Sequence, residues 1–501
     1  MPSTQNVLKF SHGGELSAAK ARKGKAHHRP GLDWLIPVSE VNQVNAPTHD
    51  ALLVGPSDQF QIGEMLKPHV LTRLLSFSRF RCAGPLGADQ TSMGGHAVRN
   101  YGESALEMGG RNLQLLHFGS QSIDQSLNEG YARAIEGEEA ERFESLSIIS
   151  GEEELRSYVR RRTGQLDDFA YVMAPEGEFY GAQSSFHAVG LSQPESLSEA
   201  KKSRLLDLMR QSAFVGVSDE NGANFLESEG IDVHRMPCAL SVLPHVCARQ
   251  LREHRDGDHL EEIRHRFPNG WIAVEVGEVR DADFDRLTEA LREISDRDGL
   301  GLVFFDAQNR GESNVRRWVD AFAEWNAASY SSDNIWDVAA MLLHSRLYCG
   351  SSLDCRVISM SGGVARLNVP TGTPAARSYC ELWEHDSVPI EFSDTEDWSI
   401  ALDEALTVDL AILQGHATDL HRKYFSAFEK YCKYTGMVPR LLPEAVATPH
   451  RRVAEDLHHL RDEWLADEKS LQLFRQLNRN SAKRSVAEQI RQKLGLRKIH
   501  A

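Results

Sequence analysis

The sequence predicts an α/β protein of two doubly wound domains, each a mostly parallel sheet covered by helices. Three observations predict it. Short apolar runs alternate with amphipathic helical stretches, the rhythm of a parallel sheet. The alternation halts at a charge-rich stretch, 246–268, and then restarts. The chain has 501 residues, the length of two ordinary domains with extensions.

Residues 1–48 are polar and basic and show no period, which predicts a mobile N-terminal extension. The first domain is placed at 49–245. It opens on "ALLVG" (Ala51–Gly55), a buried strand by its apolar run. "EMLKPHVLTRLL" follows, with Leu66, Val70, Leu71, Leu74 and Leu75 on one helical face. Pro68 is tolerated there because it lies near the helix start. "LQLLHFG", "FAYVMAP" and "FVGV" read as strands, and "SEAKKSRLLDLMRQS" as an amphipathic helix. In "SDENGANFLESEG" an acidic start opens a short helix that Gly230 closes.

Residues 246–268 are read as the connector, and the second domain is placed at 269–405. Its strands are "WIAVEVG", "LVFF" and "RLYCG". Its helices bury Phe284, Leu287, Leu291 and Ile294, then Val315, Trp318, Val319 and Phe322, then Ile335, Val338, Ala339 and Leu342. Residues 406–501 are predicted to be a helical C-terminal region.

Composition narrows the function. A hydrophobic share of 41% against 26% charged is the balance of a soluble globular chain. A net charge of −16 argues against general nucleic-acid binding. The seven cysteines are scattered without a C-x-x-C pair, which fits a reducing compartment. No apolar run approaches the ~20 residues of a membrane span. These features predict a cytoplasmic protein. Between Arg479 and Lys498 there are seven basic residues and one acid, with Val486, Ile490 and Leu494 on one helical face. That tail is a candidate peripheral contact with the inner membrane face, beside the plainer reading of a solvated helix.

The phosphate loop, the H-E-x-x-H helix and the G-x-S-x-G elbow are absent from the sequence, and no metal site is read from it. In open α/β sheets ligands sit beyond the carboxyl ends of strands, at helix N-termini. That rule selects "VGPSDQFQIGE" and "CGSSLD". In the second, Ser351 and Ser352 end a strand and precede a helix whose free N–H groups suit a phosphate or carboxylate. Helix capping is the competing reading, with Ser352 or Asp354 as the cap.

Four segments in order resemble the polysaccharide pyruvyl transferase family over about Ala51 to Leu406. They are "VGPSDQFQIGEMLKPHVLTRLL", "FHAVGLS", "FVGVSDENGANFLESEGIDVHRMPCAL" and the Ser352-Leu353-Asp354 turn with Gly363. The resemblance implies two Rossmann-like domains in a GT-B-type arrangement. It also implies transfer of a pyruvyl group from phosphoenolpyruvate to a sugar hydroxyl in surface-polysaccharide assembly. The acceptor would be a saccharide, free or lipid-linked, and no cofactor is called for. Carried onto this chain, it makes Asp354, Glu64 and Asp219 catalytic positions. Ser351, Ser352, Gly63, His187, Arg280 and Arg346 become donor-binding positions.

The departures share a direction. Gln61 and Glu64 stand where the family has Asn and Asp, His187 replaces Asn, Ser218 replaces Arg, and Asp354 replaces His. Lys67, Arg280, Arg346 and Arg356 are the cations near enough in sequence to substitute. Two other functions therefore stand beside pyruvyl transfer. One is a non-catalytic relative that binds a sugar or a partner. The other is a GT-B glycosyltransferase using a nucleotide sugar.

Overall fold

The computed structural model describes residues 38–40 and 49–443, apart from 110–111, 121–122, 192–193, 278, 280, 309–311, 371–374 and 394–396. Two sheets organise them. The first contains β2 (Asp50–Val54), β3 (Arg79–Ala83), β4 (Ala88–Asp89), β5 (Ala97–Arg99) and β6 (Leu113–His117). It continues through β7 (Gln183–Val189), β8 (Val215–Val217) and β9 (His234–Arg235). Their order is β4-β5-β3-β2-β6-β7-β8-β9, parallel except where β4 meets β5. The second sheet holds β10 (Trp271–Glu275), β11 (Gly301–Phe305), β12 (Ala327–Ser329), β13 (Leu347–Gly350) and β14 (Ala365–Asn368). Its order is β12-β11-β10-β13-β14, all parallel.

In both sheets the first strand lies inside and the chain winds outward on each side of it. This is the doubly wound order of a Rossmann-like domain. The strand sequences explain it. β2, β6, β10 and β11 are mostly apolar and are buried on both faces, as strands covered by helices on each side must be. Leu53 pairs with Cys82 on one flank and Leu116 on the other; Val274 does the same with Phe304 and Cys349. The two domains form a GT-B-type arrangement. Helix Leu410–Thr435 crosses back from the second to the first, where Tyr424 and Tyr431 pack on His187 of β7.

The seam between the domains is itself core. One apolar cluster includes Leu66, Val70, Leu240 and Leu243 of the first domain, Leu353 and Val357 of the second, and Leu420 of the crossing helix. A separate cluster fills the second domain around Val274, Leu291, Phe304 and Trp318.

Several expectations need correction. Residues 246–268, read as the connector, are largely helical. They form helices Ala248–Arg255 and Asp258–Arg266, which pack on helix Ile335–His344; His254 Nδ1 lies 2.7 Å from Asp337 Oδ1. "FAYVMAP" is buried but is not a strand. Ala170 binds the backbone of Gln125, and Phe169 bridges Ser126, so the run closes over a loop instead of joining the sheet. Within 1–48, β1 (Val38–Glu40) pairs antiparallel with β15 (Leu441–Pro443), so this part of the extension is not loose, and the C-terminal region is not wholly helical. The basic tail lies outside the described residues.

Burial leaves an unusual number of neutral histidines. The pKa values of His69 and His187 are pushed down to about 3, and those of His96, His117, His245 and His416 to about 4, by loss of solvation. That of His421 is also lowered by burial. Against these, burial raises Asp58 to about 7 and Asp219 to about 6. A histidine with a lowered folded pKa binds more protons when unfolded, so its contribution is lost as pH falls below its unfolded value. Each costs about 1.4 kcal/mol per pH unit across that window. These two aspartates, with Glu64 and Glu429, which burial also raises, act in the opposite sense but are fewer than the histidines. Urea unfolding at pH 7.5 and pH 5.5 is expected to show a clear loss of stability at the lower pH; equal midpoints would contradict it.

Candidate functional site

The doubly wound order leaves a crevice at the point where the winding reverses, beyond the carboxyl ends of the strands. In the first domain that point lies between β2 and β6, and in the second between β10 and β13. The two points face each other across the seam.

Helix Ile62–Leu74 follows β2 and carries Glu64 and Lys67 one turn apart, on the same side. Ser120 follows β6. Helix Leu353–Ser361 follows β13 and brings Asp354 in its first turn. Lys67 Nζ donates to Ser120 Oγ at 2.6 Å and to Asp354 Oδ1 at 3.0 Å, and pairs with Glu64 Oε1 at 2.7 Å. Ser120 Oγ donates to Asp354 Oδ1 at 2.8 Å, and its backbone N–H donates to Glu64 Oε1 at 2.9 Å. Two carboxylates from opposite domains thus share one ammonium.

Gly63 makes this approach feasible. A Cβ there would overlap the Asp354 side chain. Lys67 and Glu64 are almost fully buried, and the Asp354 side chain is 13% exposed. Burial alone would lower the Lys67 pKa, but Asp354 and Glu64 reverse this and raise it, so the ammonium stays charged. Burial raises the Glu64 pKa; Lys67 opposes the rise and Asp354 adds to it. Glu64 Oε2 is buried without a hydrogen-bond partner among the described residues. A carboxyl with one orphaned oxygen and a raised pKa is suited to carry a proton.

At the second domain's switch point, the turn that resembles an anion site holds a carboxylate of its own chain. Ser351 N and Ser351 Oγ both donate to Glu275 Oε2, at 2.8 and 2.9 Å. Ser352 Oγ accepts from Cys355 N, the helix-capping bond. So Ser352 is the cap, Ser351 holds the anion Glu275, and Asp354 turns away toward Lys67.

The remaining sequence-selected positions lie elsewhere. Asp219 follows β8 and caps helix Glu220–Ser228, accepting from Gly222 N at 2.6 Å and from Leu191 N at 3.0 Å. It faces the second domain through Ser378 but does not touch the lysine cluster. His187 is buried under the crossing helix, its Nε2 3.2 Å from the Tyr424 hydroxyl, which makes it a core residue and not a donor contact. Arg346 precedes β13, with its N–H on Trp271 O. It therefore sits at the amino end of the sheet, a strand length from Ser351. Arg356 is fully buried and shares Glu384 with Arg366. Burial would raise Glu384, but the two guanidinium groups hold it at about 2. Arg280 lies outside the described residues.

Of the substitute cations among the described residues, Lys67 is the one that reaches the seam. Ser120 and Glu275 were missed by sequence reasoning. Glu275 left a signal: a lone acid ending the apolar run "WIAVE" must find donors when buried. Ser120 left none, because a serine after a strand is ordinary.

No protein-family model and no curated protein matches this chain. Among solved structures it is similar to Staphylococcus aureus MnaA in complex with UDP, at 8% identity and a TM-score of 0.48 over 78% of this chain and 97% of that one. It is also similar to Methanocaldococcus jannaschii UDP-GlcNAc 2-epimerase bound to UDP-GlcNAc and UDP, at 10% and 0.43 over 76% and 99%. Anabaena Alr3699/HepE in complex with UDP-glucose gives 10% and 0.42 over 78% and 100%. At such identities these similarities assign no ligand to this chain.

Two outcomes are expected at the seam. Lys67→Met strands two buried carboxylates, so it should cost about 3–5 kcal/mol in urea unfolding. Gly63→Ala should destabilise the wild type but cost clearly less beside Asp354→Gly, which removes the atoms it would strike. A coupling within experimental error in that double-mutant cycle would refute the contact.

Proposed function

We propose that this protein is a GT-B-type enzyme that modifies an activated sugar. A nucleotide sugar is its ligand in the interdomain crevice, and the Glu64–Lys67–Asp354 centre is its proton-transfer group. The supporting observation is the convergence of Glu64 and Asp354 on Lys67, with Glu64 Oε2 left unpartnered. Sugar hydroxyls are hydrogen-bond donors and suit carboxylate partners. A nucleotide sugar can turn its hydroxyls toward Glu64 and Asp354 and keep its diphosphate charges away from them, whereas a compact dianion such as phosphoenolpyruvate meets carboxylates at both switch points. An ionised carboxylate about 4 Å away would oppose each of its charges by about 4 kcal/mol at an effective dielectric near 20.

In this reading Glu64 gives or takes a proton at its free oxygen, and Lys67 stabilises negative charge that develops beside it. Asp354 orients a hydroxyl as acceptor. The Lys67–Asp354 bond spans the two domains, so ligand entry requires it to part.

A second reading, phosphoenolpyruvate-dependent pyruvyl transfer, is favoured by one observation. Glu64 and Asp354 belong to the first and fourth segments of the pyruvyl transferase resemblance, and they share a partner in space. There Lys67 would exchange its carboxylates for the donor's.

Thermal melts with UDP-glucose, UDP-N-acetylglucosamine and phosphoenolpyruvate separate the readings. A ligand at ~100 times its Kd adds about 2.7 kcal/mol of stability. Stabilisation by a nucleotide sugar is expected. Glu64→Gln should keep that stabilisation and lose 10²- to 10⁴-fold in turnover of the same sugar, followed by NMR. Stabilisation by phosphoenolpyruvate alone would replace the first reading with the second. No response to any of the three would leave a non-catalytic binding role.

A further inference from the structure

A second concave site lies at the opposite end of the first sheet, remote from the crevice. It is a cavity of about 280 Å³ between the end of helix Glu199–Arg210, the starts of β8 and β9, and the last turn of the crossing helix. Its aromatic wall is Phe214, His234 and Tyr434. Phe214 and His234 stack with ring centroids 4.5 Å apart, and Tyr434 lies 5.2 Å from His234. Tyr434 is 54% exposed, an unusual position for a large ring packed beside a cavity. The polar part is Asp232, with Arg210 and Ser212 at the margin.

The polar groups differ in what they have left to offer. Arg210 is committed to Asp207 and to Glu229 O, and Ser212 Oγ to Leu208 O. Among the described residues neither the Asp232 carboxylate nor the His234 ring makes a side-chain hydrogen bond. The cavity therefore presents an aromatic face beside a carboxylate with free acceptor capacity.

We propose that this cavity binds one ring of a saccharide chain. A sugar ring has an apolar C–H face and a rim of hydroxyls. The C–H face matches the negative face of an aromatic ring, and the hydroxyls match a free carboxylate. The volume is below that of pockets for larger ligands, about 300–1,000 Å³, and suits a single ring. The site rests on the sugar-directed reading above for its ligand class. Its place, behind the sheet and away from Lys67, makes it an anchoring site and not part of the reacting centre. The crossing helix, whose last turn carries Tyr434, also packs on helix Leu353–Ser361, which carries Asp354.

The test uses the full chain and saturation-transfer NMR with glucose, galactose and N-acetylglucosamine, each at millimolar concentration. Transfer to at least one sugar is expected. Tyr434→Ala should abolish it, and Asp232→Asn should weaken affinity at least tenfold. Neither change should alter the stabilisation by a nucleotide sugar at the crevice. Asp354→Asn should leave monosaccharide transfer intact, so failure of the crevice reading and failure of this one are distinguishable. Transfer that survives Tyr434→Ala would overturn the proposal, as would absence of transfer from all three sugars.

Discussion

The seam of this protein depends on one buried ammonium. Lys67 is charged in a region where a lone charge would be costly, and two carboxylates and a hydroxyl make it tolerable. Glu64 comes from the same helix, Ser120 from the next strand end, and Asp354 from the other domain. Remove the lysine and the two domains present acids to each other. Remove Asp354 and the lysine keeps one acid but loses its tie across the seam. The apolar cluster around Leu66, Leu240 and Leu353 supplies burial. The polar knot supplies geometry, because directional bonds fix which faces meet.

The second carboxylate arrangement follows the same logic. A helix N-terminus beyond a strand end attracts an anion. Here Glu275 fills that role for the turn at Ser351. The turn is satisfied without a ligand, and the crevice on that side is lined by acceptors. On the proposed function, those acceptors would face the hydroxyls of the sugar and not its diphosphate. The charge change at Asp354, which in isolation is puzzling beside a presumed anion site, fits once its partner is seen to be Lys67.

The two polar sites also differ in their links to the rest of the molecule. The crevice is at the carboxyl ends of the strands and is bounded by both domains. The Tyr434 cavity is at the amino ends of β8 and β9 and belongs to the first domain and the crossing helix. That helix buries Tyr424, Phe428 and Tyr431 and packs on both β7 and helix Leu353–Ser361.

The α/β class, the two-domain pattern and the helix after β2 were legible because each rests on local periodicity: apolar strands, amphipathic helices, and glycine at helix ends. "VGPSDQFQIGE" and "CGSSLD" were legible as strand-to-helix turns for the same reason. Local pattern failed where burial came from long-range contact. "FAYVMAP" is apolar because it packs under a loop, and its sequence resembles a strand's. His187 is polar in type but buried, because the crossing helix returns from 237 residues away to cover it. Arg346 and Ser351 are neighbours in sequence yet sit at opposite ends of β13. The sequence by itself determined which residues could line strand ends and which cations were available. The tertiary structure decided that Lys67 alone among those described would reach the seam. It also decided that Asp354 would be its partner and Glu275 the turn's anion. Pairing of buried charges depends on which side chains converge within about 4 Å, and that convergence exists only once both sheets are wound and docked.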